Sequence, residues 1–329
     1  MRCTNKKSAR RLCAFVLLLC FLLTGCSGNS FQMSYDPNSS VSSFSMNGVK
    51  DAEVADSFAS NLCVTAQDVL ENTKVDMEQA GAAGLFDLTD STVLYAKNVH
   101  AQMYPASLTK VMTALVALKY GKLEDVITVT NNAIITESGA QICDLAAGDT
   151  LTLDQALHAL LIHSANDAAV AIAEHIGGSV EGFADMMNEE AKAIGATNSH
   201  FVNPNGLHDD NHYVTAYDMY LIFNEALKYE KFTEIIQTTS YESTYSDSIG
   251  DPKTLSFDTT NQYLNGSQAA PDNVTVIGGK TGTTNAAQNC LIIYVKDTSG
   301  KSYISVILRA KERGILYTEM SDLLDEIKK

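Results

Sequence analysis

Apolar and polar positions change period several times along the chain, and each change marks an element. Residues 104–121, YPASLTKVMTALVALKYG, set Leu108, Val111, Met112, Leu115 and Leu118 at helical spacing, and Pro105 suits a first helical turn. The stretch TLDQALHALLIHSANDAAVAIAEHIGG (152–178) reads as two helical runs with HSAND between them. SVEGFADMMNEEAKAIG is a further helix ended by Gly195, and YVTAYDMYLIFNEALK is another. Shorter β-rich runs bracket this helical middle. AGLFDLTDSTVLYAKN (83–98) reads as a hairpin turning at Thr89, Asp90 and Ser91. NVTVIGGKTGT, NCLIIYVKD and SYISVILRA read as strands, the last two joined by TSGK, and YTEMSDLLDEIKK closes as a helix. Strands at both ends with helices between them predict an α+β domain. Its antiparallel sheet is gathered from both termini and flanked by helices, with an all-helical insertion.

The first 25 residues stand apart. MRCTNKKSARR carries five positive charges and no acid, and LCAFVLLLCFLL (12–23) follows as an apolar run. A basic start, a short apolar middle and then small residues are the marks of a secretory signal, and the run is shorter than the roughly 20 residues of a membrane span. The segment ends in Leu23, Thr24, Gly25 and Cys26. That run resembles a bacterial lipobox, which implies lipid on Cys26. Residues 26–60 are rich in Ser, Asn and Gly without periodicity and read as a tether, so the folded domain is expected over 61–329.

Composition narrows the classes. Of 329 residues, 45% are hydrophobic and 19% charged, as in a globular protein with a substantial core. Net charge is −16, and without the first 25 residues 18 basic residues face 39 acidic ones. Such acidity excludes ordinary nucleic-acid binding. Beyond the leader and Cys26, three cysteines remain, Cys63, Cys143 and Cys290. They are too few and too widely spaced for a disulfide framework and read as small buried apolar residues. The seven histidines show no metal-ligand spacing, so neither metal nor other cofactor is expected.

Three short runs carry candidate chemistry. Ser107 and Lys110 lie one helical turn apart and share a face. A serine hydroxyl is a poor nucleophile until a base takes its proton, and an amine so placed is within reach. The lysine must first lose its own proton. Lowering its pKa from about 10.4 to about 7–8 corresponds to roughly 4 kcal/mol, which burial and a second cation can supply. Ser107 is the one serine in the chain with lysine three residues on. Ser164 and Asn166, between two helices, suit either a cleft-lining turn or ordinary helix capping, for which Ser, Asn and Asp167 are equally apt. GGKTGTT (278–284) has Val274 where a phosphate-binding loop needs glycine, so that reading fails. The alternative is an edge strand that presents Lys280 and the Thr281 hydroxyl to a cleft, with Gly282 admitting a substrate backbone.

SLTK, SAN and KTG in this order resemble the three marks of the penicillin-binding and serine β-lactamase superfamily. The runs YPASLTKVMTALVAL, LLIHSANDAAVAIAE and FVNPNGLHD are similar to the low-molecular-mass D-alanyl-D-alanine carboxypeptidases of serine peptidase family S11. The resemblance covers about residues 80–329 and implies a β-lactamase/transpeptidase-like fold. It implies that Ser107 attacks the D-Ala-D-Ala carbonyl of a peptidoglycan stem peptide, that Lys110 takes its proton, and that Ser164 passes a proton to the leaving D-alanine. Asn166 is then expected to hold substrate and orient Lys110, and Lys280 to keep the cleft positive. Thr281 with Lys280 is expected to receive the terminal carboxylate, and the backbone N–H groups of Ser107 and Thr283 to form an oxyanion hole. β-Lactams are expected to acylate Ser107. Relatives of this kind often bind the carboxylate with an arginine shortly after the last strand; Arg309 and Arg313 are both nearby. Many also carry a further β-rich domain and a C-terminal amphipathic helix. This sequence ends at Lys329, and lipid on Cys26 is expected to serve as the anchor on the outer face of the cell membrane. The competing functions are a D,D-endopeptidase on peptidoglycan cross-links and a non-enzymatic β-lactam or wall sensor. A β-lactamase is disfavoured, since SAN replaces the usual SDN and no E-x-x-L-N run occurs.

Overall fold

The computed structural model describes residue 59, residues 61–70, residue 75 and residues 77–327. The expected leader, Cys26 and most of the tether lie outside the described residues. The strands are β1 (Ala82–Asp87), β2 (Thr92–Lys97), β3 (Val126–Thr128), β4 (Thr150–Thr152), β5 (Ser240–Ser246), β6 (Pro252–Asp258), β7 (Val274–Thr284), β8 (Gln288–Asp297) and β9 (Ser302–Ala310). The α-helices are α1 (Thr109–Tyr120), α2 (Leu153–His158), α3 (Asn166–Gly177), α4 (Val180–Ala193), α5 (Ala216–Ala226), α6 (Glu230–Ile236) and α7 (Arg313–Asp325).

A five-stranded antiparallel sheet in the order β2-β1-β9-β8-β7 joins the two ends of the domain, as the strand pattern predicts. The β1–β2 hairpin and the β7-β8-β9 meander fall where the β-rich runs stand in the sequence. Both faces of this sheet are covered. On β9, Ile304, Val306 and Leu308 join the core shared with α1 and α5, while Tyr303 and Ile307 join a second core with Leu316, Met320, Leu323 and Leu324 of α7. Burial on both faces explains why β8 and β9 read as continuous apolar runs rather than alternating ones. At roughly 1.5–3 kcal/mol per fully buried large apolar side chain, the α7 layer is a substantial part of what holds the sheet flat against its helices.

The insertion between β2 and β7 is not all-helical. It also carries a second antiparallel sheet, β3-β4-β5-β6. Two of its strands have only three residues, too short for a periodicity to register, and β5 (SYESTYS) is polar on its exposed side. α6 is likewise a seven-residue helix that the apolar pattern did not single out. Cys63 and Cys290 are buried and Cys143 is half-buried; all three are free thiols. Among the described residues no helix is long and apolar enough to cross a membrane.

Candidate active site

Ser107 does not begin α1 directly. It sits in a 3-10 turn, Ala106–Leu108, that leads into the helix, and the residue before it, Ala106, has φ +47°. A non-glycine residue at positive φ is strained, and such strain persists only where surrounding packing enforces it. Here Gly206 supplies the packing. It lies at φ +82°, and a Cβ on it would fall 1.9 Å from the Ala106 carbonyl oxygen. Two loops thus meet backbone to backbone beside Ser107.

Lys110 is wholly buried one turn on. Its Nζ lies 3.0 Å from Ser107 Oγ, 2.8 Å from Asn166 Oδ1 and 2.6 Å from the Asn205 carbonyl oxygen. A neutral amine has two N–H bonds and one lone pair. Asn166 and Asn205 accept both N–H bonds, which leaves the lone pair facing the Ser107 hydroxyl. Burial first, and then the nearby Lys280 cation, hold the Lys110 ammonium well below its ordinary pKa, against a smaller opposing effect of Asp167.

The SAN turn is built from a break in helical period. Residues Ala159–His163 form a π-turn after α2, and Ser164 follows in the left-handed conformation at φ +69°. Extra-residue turns of this kind are frequent at functional sites. The turn aims Ser164 Oγ at Lys280, whose Nζ donates to it at 2.9 Å and to the Thr281 carbonyl at 2.9 Å. Capping is not its role: neither the Ser164 nor the Asn166 side chain caps α3, whose N-cap is Ala165. The Asn166 amide instead donates Nδ2–H to the Gln141 carbonyl at 3.0 Å while its Oδ1 accepts from Lys110. Burial lowers the Lys280 pKa to about 7.

β7 is an edge strand of the large sheet, as expected, and its rim from Thr281 onward lines a cleft of about 580 Å³ together with Ser107, Ser164 and Asn166. Gly282 has a structural duty besides facing the cleft. A Cβ there would lie 3.0 Å from the Pro105 carbonyl and 3.1 Å from the Ser107 nitrogen, so the close approach it allows is to the Ser107 turn. The Thr283 hydroxyl donates to Asn289 Oδ1 at 3.3 Å.

Several cleft residues escaped the sequence reading. Thr260 Oγ1 lies 2.6 Å from Thr281 Oγ1, and the Gln141 and Asn205 carbonyls fix Asn166 and Lys110. No local signal marks a backbone carbonyl or a lone threonine. Of the two arginines, Arg313, at the start of α7, lines the cleft, whereas Arg309 lines a separate pocket with Tyr104 and Asp210. His163 turns away: its Nε2 contacts Gln141 Nε2 and the Ile142 carbonyl, and its ring lies against Phe257. His212, buried behind the lysine, receives the Val202 N–H on Nδ1 and therefore donates Nε2–H to Thr109 Oγ1 at 2.8 Å. Burial pushes its pKa down to about 4, so it supports the turn as a neutral ring.

The sequence profile of the S11 peptidases, described as D-alanyl-D-alanine carboxypeptidase, matches residues 69–312. The chain belongs to the S11 family. S11 relatives include D-alanyl-D-alanine carboxypeptidase DacF of Bacillus subtilis, 35% identical over 250 residues that make up 74% of this chain and 61% of DacF. DacC of Escherichia coli is 33% identical over 269 residues, covering 79% of this chain and 63% of DacC. The chain thus spans about three fifths of the length of these curated relatives. The crystal structure of the Streptomyces K15 DD-transpeptidase superposes with a TM-score of 0.71 at 25% identity, covering 77% of this chain and 98% of that one. A D-alanyl-D-alanine carboxypeptidase structure from Mycobacterium tuberculosis, at 24% identity and a TM-score of 0.68, shares the fold. The S11 assignment and these neighbours agree with the β-lactamase/transpeptidase-like α+β fold expected from the ordered motifs.

Proposed function

We propose that this protein is a serine-type D-Ala-D-Ala carboxypeptidase that trims peptidoglycan stem peptides through an acyl-enzyme on Ser107. The observation that carries this reading is the Lys110 amine. It is buried, its Nζ lies 3.0 Å from Ser107 Oγ, and in the neutral form its two N–H bonds fall to the Asn166 and Asn205 carbonyl oxygens, which leaves the lone pair for the Ser107 proton. In the acylation step Lys110 takes the Ser107 proton as Oγ bonds to the carbonyl carbon of the penultimate D-alanine. The oxyanion that forms is held by the N–H groups of Ser107 and Thr283; one such donor is worth about 3 kcal/mol in the transition state. The C–N bond then breaks as Ser164 passes a proton to the departing D-alanine nitrogen. The proton that Lys110 took from Ser107 replaces the one Ser164 loses, so Lys110 is neutral again, while Lys280 keeps its charge 2.9 Å from Ser164 Oγ. Arg313 and the Thr281 hydroxyl face the same cleft and suit the terminal carboxylate, to which a guanidinium can bond bidentately. Water completes the cycle by hydrolysing the ester.

Purified protein incubated with penicillin is expected to gain one adduct per chain, mapped by mass spectrometry to the peptide that contains Ser107. A D-Ala-D-Ala peptide is expected to release free D-alanine. An adduct on any other residue overturns the assignment of the nucleophile, and faster cleavage of a cross-linked dimer than of the linear peptide moves the activity to the endopeptidase.

The proposal extends to location. Lipid on Cys26 would hold the protein at the outer face of the cell membrane, with the catalytic domain in the wall space. One acyl chain binds membranes only marginally, whereas a diacylglycerol thioether supplies two. A Ser-rich tether such as the composition of residues 26–60 suggests would reach roughly 30 Å as a random coil, which would direct the cleft to peptidoglycan near the membrane. Cys26→Ser is expected to move the protein from the membrane to the soluble fraction in cell fractionation and detergent partitioning. Retention as tight as wild type would make the uncleaved apolar segment the anchor.

A further inference from the structure

The cleft is electrically two-ended. Among the described residues that line it, only Glu137 and Arg313 are charged; Lys110 and Lys280 lie buried beneath its floor. The two stand on different elements. Arg313 opens α7, which packs on the large sheet, while Glu137 lies in the loop before the SAN turn. That loop is held in place. The Gln141 carbonyl accepts both the backbone N–H and the side-chain amide of Asn166, at 2.8 and 3.0 Å, and Asp167 accepts the backbone N–H groups of Cys143 and Leu145 at 2.9 and 3.1 Å. Glu137 is exposed, and neither it nor Arg313 takes part in an ion pair among the described residues. An acid outside any ion pair, on an anchored loop that lines a cleft also lined by Arg313, has a free carboxylate to offer a ligand.

We propose that Glu137 selects substrates that carry a free ammonium group on the residue ahead of D-Ala-D-Ala. The inference rests on the carboxypeptidase reading above and names the substrate class within it. A peptide laid along the edge of β7 by strand addition sends successive side chains to opposite sides. With its C-terminal carboxylate at Thr281 and Arg313, the residue before D-Ala-D-Ala stands upstream, where a side chain directed to the facing wall meets the 137–141 loop. Peptidoglycan stem peptides carry a diamino acid at that place. Its side-chain ammonium complements Glu137 as the terminal carboxylate complements Arg313. Both ion pairs are solvated, so the discrimination is modest and salt-dependent.

The test compares Nα-acetyl-L-Lys-D-Ala-D-Ala, which has a free ε-ammonium, with its Nα,Nε-diacetyl counterpart. Two readouts apply: D-alanine release, and protection of Ser107 against penicillin, which reports binding even without turnover. Wild type is expected to favour the free ammonium by about two- to fivefold in kcat/KM at low salt, the range typical of exposed ion pairs. The preference should shrink as ionic strength rises. Glu137→Gln is expected to bring the ratio near one, and Glu137→Lys to invert it. Because each ratio is taken within one preparation, partial misfolding cancels. Equal rates in wild type, or an unchanged ratio in Glu137→Gln, overturn the inference and leave the carboxypeptidase reading standing. If neither peptide is cleaved and neither protects Ser107, both fall together.

Discussion

Lys110→Arg is expected to lower the rate of Ser107 acylation by penicillin by about 10²–10⁴-fold, the usual contribution of a positioned general base. Arginine keeps the positive charge and N–H donors for Asn166 and the Asn205 carbonyl, but it does not deprotonate in proteins, so no lone pair is left to face Ser107. Its fork is also bulkier than the ammonium it replaces, in a site with no exposed surface. Ser107→Ala serves as the limit, with no adduct at all. Time courses of fluorescent penicillin labelling give the rates, and circular dichroism and melting curves separate loss of chemistry from loss of fold. Near-normal acylation in a folded Lys110→Arg protein would reduce Lys110 to an electrostatic partner. The pH profile supplies an independent check. Acylation should rise with pH as Lys110 loses its proton and fall as Lys280, lowered by burial to about 7, loses the charge that keeps the cleft positive. The limbs report the coupled pair rather than either lysine alone, and the rising one should vanish in Lys110→Arg.

Gly206→Ala is expected to damage both stability and acylation, though residue 206 carries no reacting atom. The added Cβ would stand 1.9 Å from the Ala106 carbonyl oxygen and 2.7 Å from Thr109 Oγ1, inside any permitted contact, and the residue lies at φ +82°. The conformation alone disfavours alanine by about 1–3 kcal/mol, and overpacking adds a similar amount. In a domain of some 250 residues each kcal/mol lowers Tm by about 2–4 °C, so the summed cost of about 2–6 kcal/mol corresponds to a fall of roughly 4–24 °C. The strained atom is the carbonyl of Ala106, the residue before Ser107, and relief of the clash is expected to move Ser107 relative to Lys110. Acylation measured well below Tm should therefore drop by more than the unfolded fraction explains. A variant that melts lower but acylates at the wild-type rate would show that the two loops can part without disturbing the Ser107–Lys110 pair.

The amino-acid sequence by itself determined the parts of this protein that depend on local spacing. A hydroxyl and an amine three residues apart on a helix must share a face, so the Ser107–Lys110 pair is legible before any fold is known. The long apolar runs likewise declare α1, the hairpin and the β7-β8-β9 meander, because their periods persist over enough residues to register. Only the tertiary structure decided what depends on segments far apart in the chain. The carbonyl that takes a Lys110 N–H belongs to Asn205, 95 residues away, and every residue offers the same carbonyl, so nothing in the sequence distinguishes it. The SAN run was equally consistent with capping until a π-turn and a left-handed Ser164 aimed the hydroxyl at Lys280, 116 residues on. Arg309 and Arg313 are indistinguishable as letters; the start of α7 brings one into the cleft and the end of β9 directs the other to a different pocket. Three-residue strands have no period to read, which hid the second sheet. Local geometry follows from covalent spacing, whereas partners across the cleft are chosen by how the layers pack.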